Sequence, residues 1–194
     1  MAFIVLLDAN AIYPATLRDV LLTAADRDLY QLRLSRRIVE EMRQAVVEKN
    51  PHANMDRTIA AIERAFGDTY VEGYERLESS MTNDAGDRHV LAAAVASGAG
   101  LIVTNNLKHF PDNACSPHGI EVQTPEDFLL SLLDLDEERM LGVLDEVASH
   151  MVDQPQTASD VLEPLRKHAP TFASAALRGL ARRTLAAESE DRSD

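Results

Sequence analysis

Tryptophan is absent from this sequence of 194 residues, and cysteine occurs only once, at Cys115. A single cysteine cannot form an internal disulfide or a cysteine-rich zinc site, which agrees with a reducing compartment. Long apolar runs are also absent. The first one, residues 3–7, has no basic leader and ends at Asp8, so it is too short for a signal peptide or a membrane span. We therefore expect a cytoplasmic protein with no membrane segment.

Basic residues are few, with 19 Lys and Arg against 32 Asp and Glu and a formal net charge of −13. This balance argues against a broad basic surface that holds nucleic acid through its phosphates. Two interpretations of the acidity stay open. If several acids converge on a bound Mg²⁺, the cation inverts the local charge and creates a phosphate site. Acids elsewhere, such as those in residues 188–194, can keep the protein in solution, and an acidic body also suits a basic protein partner.

The pattern of apolar residues predicts strands that alternate with helices in the first two thirds of the chain. Strands are predicted at residues 3–7, 30–34 and 101–103. Amphipathic or alanine-rich helices are predicted at residues 14–28, 36–50, 55–66 and 84–97. Ser35 can cap the second of these helices, and Gly98 is expected to end the last. This order indicates an α/β fold with a central, mainly parallel sheet flanked by helices.

The pattern changes near residue 128, after which only helices are predicted. These helices cover residues 128–150, 161–167 and 172–187. We therefore predict a sheet domain at residues 1–128, a helical extension at 129–188 and a disordered polar tail at 189–194. The extension could pack on the sheet domain or bind a partner.

Asp8 and the residues Thr104, Asn105 and Asn106 directly follow two predicted strands. In open parallel sheets ligands bind beyond the carboxyl ends of the strands, so Asp8 is a candidate for a functional carboxylate. The small polar residues after the later strand could orient such a carboxylate or hold a metal-bound water. An ordinary turn would use the same residue types at both places.

Two further acids lie on predicted helices. The helical period places Glu41 on the inward face with Ile38 and Met42, whereas Glu40 faces solvent. An inward carboxylate is costly unless it is paired or binds a metal, so Glu41 is a candidate ligand.

The alanine-rich helix is expected to begin at Asp84, with Asp84 as its N-cap. Asp87 lies one turn further, on the side that packs against the sheet, and is the stronger candidate for a functional role. Both aspartates could instead simply favour the helix dipole. The histidines, among them His89, His109 and His118, are scattered without the spacing of a metal site.

Four stretches of the chain together resemble the ordered motifs of the PIN-domain family, and of its VapC-like toxins in particular. They are IVLLDAN at residues 4–10, SRRIVEEM at 35–42, DRHVLAAA at 87–94 and IVTNNLKHF at 102–110. The resemblance covers residues 3–128 and implies that Asp8, Glu41 and Asp87 hold the metal, with Thr104 in support. The family often has a fourth acid where this chain has Asn106, which we include among the catalytic residues. That departure argues against a tightly held second metal.

The resemblance implies an endoribonuclease that hydrolyses RNA and leaves a 5′-phosphate. Oxygen ligands favour Mg²⁺ or Mn²⁺ as the cofactor. The expected partners are the RNA substrate and an antitoxin protein with a DNA-binding part, and the chain could also form a homodimer. Basic residues near the site, Arg36, Arg43 and Lys108, could hold the RNA backbone or be simply solvated. Two alternatives stay open: a catalytically idle PIN scaffold that binds RNA or protein, and a small-molecule phosphohydrolase.

Overall fold

The computed structural model describes residues 3–151 and 157–191, which divide into two compact units. Residues up to Arg18 and from Tyr30 to Thr124 form the first unit. The second unit contains residues 19–29 and the chain from Pro125 onward. The division therefore falls a few residues before the predicted boundary at 128, because a helix already begins at Pro125.

The first unit contains a four-stranded parallel sheet, which confirms the predicted α/β fold. Its strands are β1 (Ile4–Leu7), β2 (Gln31–Arg33), β3 (Leu101–Val103) and β4 (Glu121–Gln123). Their order is β2-β1-β3-β4, and every neighbouring pair is parallel. The pattern of apolar residues did not predict β4, which is short, lies at the edge and has one apolar residue between two polar ones.

Strand β1 lies in the middle of the sheet, and its residues Val5, Leu6 and Leu7 are completely buried. This burial explains why β1 is a continuous apolar run rather than an alternating one. In the register of the sheet Leu7 is paired with Val103 of β3. The residues that follow these strands, Asp8 and Thr104, therefore emerge side by side at the carboxyl edge, and the Asp8 amide donates to the Val103 carbonyl at 3.0 Å.

Seven helices begin in the first unit. They are α1 (Ala9–Ile12), α2 (Ala15–Asp26), α3 (Arg36–Lys49), α4 (Asp56–Phe66), α5 (Glu75–Glu78), α6 (Arg88–Ser97) and α7 (Asp112–Cys115). Helix α2 continues into residues assigned to the second unit. As predicted, the Ser35 hydroxyl caps α3 by accepting from the Ile38 amide at 3.2 Å, and Gly98 ends α6 with φ +67.

The second unit contains helices α8 (Pro125–Leu135), α9 (Glu137–Ser149), α10 (Ala158–Leu165) and α11 (Pro170–Asp191). The single helix predicted at 128–150 is in fact two, because Asp136 starts a new helix by accepting from the Arg139 amide at 3.0 Å. Phe128, Leu144 and Phe172 are fully buried in the apolar core of this unit.

The C-terminal region contains only helices within the described residues, as predicted. Of the predicted tail 189–194, residues 189–191 end helix α11, and 192–194 lie outside the described residues. No helix in the described part of the chain is both long enough and apolar enough to span a bilayer.

Candidate metal centre at the carboxyl edge of the sheet

Asp8 is the most buried acid of the site, with 3% of its surface exposed. It directly follows β1 and is the N-cap of α1. Its Oδ1 accepts from the Ala9 amide at 2.6 Å, and its Oδ2 accepts from the Thr104 hydroxyl at 2.7 Å and the Asn10 amide group at 2.5 Å. The carboxylate is therefore held in one orientation by its own turn and by the end of the neighbouring strand.

The environment of Asp8 disfavours its charge. Burial raises its pKa, and the negative charges of Asp87 and Glu41 raise it further, while hydrogen bonds from Thr104 and Ala9 work in the opposite direction. The net effect is a raised pKa. A cation next to Asp8 would offset both the burial and the repulsion.

Thr104 and Asn10 connect the two strand ends. The buried Thr104 hydroxyl lies 3.0 Å from the side-chain nitrogen of Asn10 and accepts from the Asn106 amide at the same distance. The Asn10 side-chain oxygen accepts from the Asn105 amide at 2.7 Å. The sequence pattern did not predict this supporting contact of Asn10.

Glu41 lies on the half-buried side of α3, whereas Glu40 is exposed and pairs with Arg43, in the orientation that the helical period predicts. The Oε1 atom of Glu41 lies 3.1 Å from Nε2 of His89 and 3.1 Å from Nε of Arg37. Burial opposes the charge of Glu41, but its contacts with His89 and Arg37 outweigh burial and lower its pKa. These neighbours on α3 and α6 thus favour the ionised form of Glu41.

Asp87 is held differently from the prediction. Helix α6 begins at Arg88, so Asp87 rather than Asp84 occupies the N-cap position, and its side chain makes no capping hydrogen bond. The Asp84 carboxylate instead accepts from the Gly86 amide at 3.0 Å, within a turn that precedes the helix. The predicted N-cap role of Asp84 is therefore wrong, because the chain from Asp84 to Asp87 is used for this turn.

Two histidines, which have no metal-site spacing along the chain, nevertheless contact the predicted acids. His109 Nδ1 lies 2.5 Å from Oδ2 of Asp87. Ligand atoms of Asp84, Asp87 and His109 all lie within 4.8 Å of one another, an arrangement that could hold a metal ion. His89, which is 1% exposed, lies against Glu41, and neither of its ring nitrogens has a well-formed hydrogen bond to a described residue. Spacing along the chain could not reveal these contacts, because the sheet edge brings the partners together.

One pocket of about 330 Å³ brings the predicted residues together. Its lining includes all four: Asp8, Glu41, Asp87 and Asn106. It also includes residues that were not predicted: Ala9, Asn10, Tyr13, Ala45, Glu48 and Lys49. The basic residues suggested from sequence, Arg36, Arg43 and Lys108, are not in this lining. Arg36 instead pairs with Glu63 and lies over the ring of Tyr70.

Models of known protein families match both parts of the chain. The family model described as "PIN domain" matches residues 4–108, and the one described as "VapC50 C-terminal domain" matches residues 125–178. A protein of Mycobacterium tuberculosis (strain ATCC 25618 / H37Rv), named "Putative ribonuclease VapC50", is 46% identical over 106 residues. That alignment covers 55% of this chain and 63% of the relative. No solved structure matches the chain.

Proposed function

Because the chain belongs to the PIN-domain family, we propose that it is an endoribonuclease whose hydrolysis of RNA depends on Mg²⁺ or Mn²⁺. The observation that carries this proposal is the shared pocket of Asp8, Glu41, Asp87 and Asn106, which come from four separate parts of the chain. An apolar core gains nothing from such a concentration of carboxylates. Carboxylate oxygens are, however, the protein ligands that divalent cations such as Mg²⁺ prefer.

The residues present fit a divalent cation. Asp8 is almost fully buried, has no basic partner among the described residues, and has a raised pKa that burial and the nearby acids explain. In this proposal Asp8, Glu41 and Asp87 hold the ion through carboxylate oxygens. A Mg²⁺ or Mn²⁺ ion in this place would favour ionisation of the attacking water and offset charge on the leaving oxygen of a phosphodiester.

The protein's own contribution is to keep the acids in place. Thr104 and Asn10 fix the Asp8 carboxylate by hydrogen bonds, Arg37 donates to Glu41, and His89 lies against Glu41. His109 contacts Asp87 in the same way. Asn106 offers an uncharged amide to the pocket, where it can orient a phosphate oxygen or a water molecule without adding negative charge.

The resemblance of the motifs to VapC-like toxins, and the similarity to a relative named "Putative ribonuclease VapC50", support a role beyond RNA cleavage itself. We propose that the chain is the toxin of a toxin–antitoxin pair and acts in the cytoplasm. Its partner would be an antitoxin with a DNA-binding part, encoded by a neighbouring gene. Self-association into a homodimer belongs to the same proposal, and light scattering of the purified protein at several concentrations tests it.

Cleavage of single-stranded RNA by the purified chain tests the enzymatic proposal. We expect cleavage with Mg²⁺ or Mn²⁺ and none after addition of EDTA. Asp8→Asn, Glu41→Gln and Asp87→Asn should each lose more activity than the roughly 10- to 100-fold typical of residues that only support metal ligands. Asp145→Asn is the matched control, because Asp145 is an exposed acid of the second unit that pairs with Arg183.

Three outcomes would contradict the proposal. Cleavage by Asp8→Asn at the rate of the unaltered chain would exclude this site. Binding of RNA without any cleavage would favour the idle PIN scaffold. Hydrolysis of p-nitrophenyl phosphate with none of RNA would favour a small-molecule phosphohydrolase. Circular dichroism of each variant separates loss of activity from loss of fold.

A further inference from the structure

The acidic pocket contains one positively charged residue among its described lining residues. Besides Asp8, Glu41 and Asp87, the exposed Glu48 lines it, so the described lining has four carboxylates and one ammonium, that of Lys49. A single divalent cation would leave this lining negative in sum. An RNA strand approaching the pocket would therefore meet its first electrostatic attraction at Lys49.

The positive charge of Lys49 is not used by an ion pair with any described residue. The arginines of the same helix differ: Arg36 pairs with Glu63, Arg37 with Glu41 and Glu78, and Arg43 with Glu40. The Lys49 ammonium instead lies 4.7 Å from the centre of the Tyr13 ring. It is thus held at the pocket by an aromatic face and remains free to meet an anion.

Both residues are placed by the elements that carry the acids. Glu41, Ala45, Glu48 and Lys49 follow the helical period, so one face of α3 carries a predicted metal ligand and the lysine. Eight residues separate Glu41 from Lys49, which corresponds to about 12 Å along the helix. Tyr13 follows helix α1, whose N-cap is Asp8. The aromatic and cationic pair therefore lies at a fixed offset from the acids.

From this arrangement we infer that Lys49 and Tyr13 form the wall of the pocket that receives the RNA strand beside the cleaved bond. In this inference Lys49 contacts a phosphate next to the one that is hydrolysed, since its backbone lies about 12 Å along the helix from that of Glu41. Tyr13 stacks against an unpaired base. Single-stranded RNA offers both a phosphate and an unstacked base to such a pair. This inference rests on the proposed ribonuclease function and adds the residues that hold the substrate.

The adjacent residues Glu48 and Lys49 allow a test in which two substitutions act in opposite directions. Binding is measured by anisotropy of a fluorescein-labelled, single-stranded RNA of mixed sequence, in an Asp8→Asn background that does not cleave it. Lys49→Gln should raise the Kd about fivefold at 0.1 M salt and lower the slope of log K against log salt by about 0.7. Lys49→Arg should restore both. Glu48→Gln should lower the Kd, because it removes a repulsive charge.

The tyrosine is tested in the same assay. Tyr13→Phe keeps the ring and should bind like the parent, whereas Tyr13→Leu should raise the Kd about fivefold or more and leave the salt slope unchanged. In the cleaving chain, Lys49→Gln and Tyr13→Leu should raise KM more than they lower kcat. Lys167→Gln is the charge-matched control and should leave Kd and KM unchanged, because this exposed lysine is not among the residues that line the pocket.

A Kd and a salt slope unchanged in Lys49→Gln would overturn the inference, and so would shifts of Lys49→Gln and Glu48→Gln in the same direction. If the chain cleaves RNA with Mn²⁺ while these variants behave like the parent, the inference alone fails. If the unaltered chain neither binds nor cleaves RNA, the proposed function fails and the inference fails with it. Thermal unfolding of each variant, with Lys49→Arg and Tyr13→Phe as folded references, shows whether an altered Kd reflects a damaged helix.

Discussion

The acids of the pocket and the acids of the second unit accommodate their charge in different ways. In the second unit Glu137, Asp145 and Glu146 are partly exposed, and each pairs with an arginine. In the first unit Asp8 is buried, and it faces other carboxylates rather than an arginine. Ion pairs at the surface cost little and contribute little, whereas an uncompensated buried carboxylate is expensive. The exposed ion pairs of the second unit suit solubility. The buried carboxylate of Asp8 is tolerable where a cation can bind.

The second unit and the pocket also depend on different kinds of contact for their stability. The second unit has a continuous apolar core, so its stability should depend on side chains such as Phe172, which is fully buried in α11. Phe172→Ala should cost about 3–5 kcal/mol of the free energy of unfolding. Leu185→Ala on the same helix, where the side chain is 66% exposed, should change it by less than about 0.5 kcal/mol. Urea unfolding followed by circular dichroism measures both, and equal costs would show that α11 is not packed as described.

Polar contacts, rather than an apolar core, fix the pocket, and Thr104 is their centre. Thr104→Val removes the hydroxyl that donates to Asp8 at 2.7 Å and accepts from the Asn106 amide. We expect a loss of about 1–3 kcal/mol in stability, since buried polar partners lose a hydrogen bond. The pKa of Asp8 should rise further in this variant, because the hydrogen bond from Thr104 lowers it in the unaltered chain. Thr104→Ser keeps the hydroxyl and should lose much less, and a serine variant as damaged as the valine one would argue against the hydrogen bond.

Asp8 itself should make the metal-free protein less stable as pH rises. Its folded pKa lies above the ordinary value for aspartate because of burial and of the charges on Asp87 and Glu41. Between the two pKa values the folded state binds more protons than the unfolded state, so stability falls as pH increases through this window. In EDTA, Asp8→Asn should flatten this part of the profile, as measured by Tm at successive pH values.

Added Mn²⁺ should also stabilise the unaltered chain more at pH 7 than near pH 4, where protonated carboxyls bind metal poorly. Glu41 provides the internal contrast, because its lowered pKa acts in the opposite direction. Glu41→Gln should therefore flatten the profile less than Asp8→Asn does, because burial, the largest cause of the raised Asp8 pKa, remains. If the stability of the unaltered chain and of Asp8→Asn both rose with pH between the unfolded and folded pKa values of Asp8, the described burial of Asp8 would be contradicted.

Features that depend on a few neighbouring residues could be predicted from the sequence. The buried strand β1, the Ser35 cap of α3 and the end of α6 at Gly98 all follow from local composition, and the structure shows each of them. The helical period was enough to distinguish Glu41 from Glu40, because the two faces of α3 differ in polarity. The family motifs then gathered the separate acids into one expected site.

Features that depend on the meeting of distant segments could not be predicted in this way. The contact of His109 with Asp87 joins residues far apart in the chain, and so does that of His89 with Glu41. The start of α6 was misplaced for a different reason: Asp84 favours a turn as strongly as a helix cap, and only the surrounding structure decides. Lys49 gave no signal, because a lysine at the end of a helix is common on any surface.

The smallest effect expected belongs to the exposed ion pairs of the second unit. Arg183 and Asp145 make two contacts, Nη1 to Oδ2 at 2.7 Å and Nη2 to Oδ1 at 3.0 Å, which is favourable geometry. Their side chains are nevertheless 42% and 48% exposed, so solvent screens their attraction. A double-mutant cycle with Arg183→Ala and Asp145→Ala should give a coupling of about 0.2–1 kcal/mol, reduced further in 1 M NaCl. A coupling well above this range would mean that charge in the second unit is more deeply compensated than its exposure indicates, and the contrast with Asp8 would lose its basis.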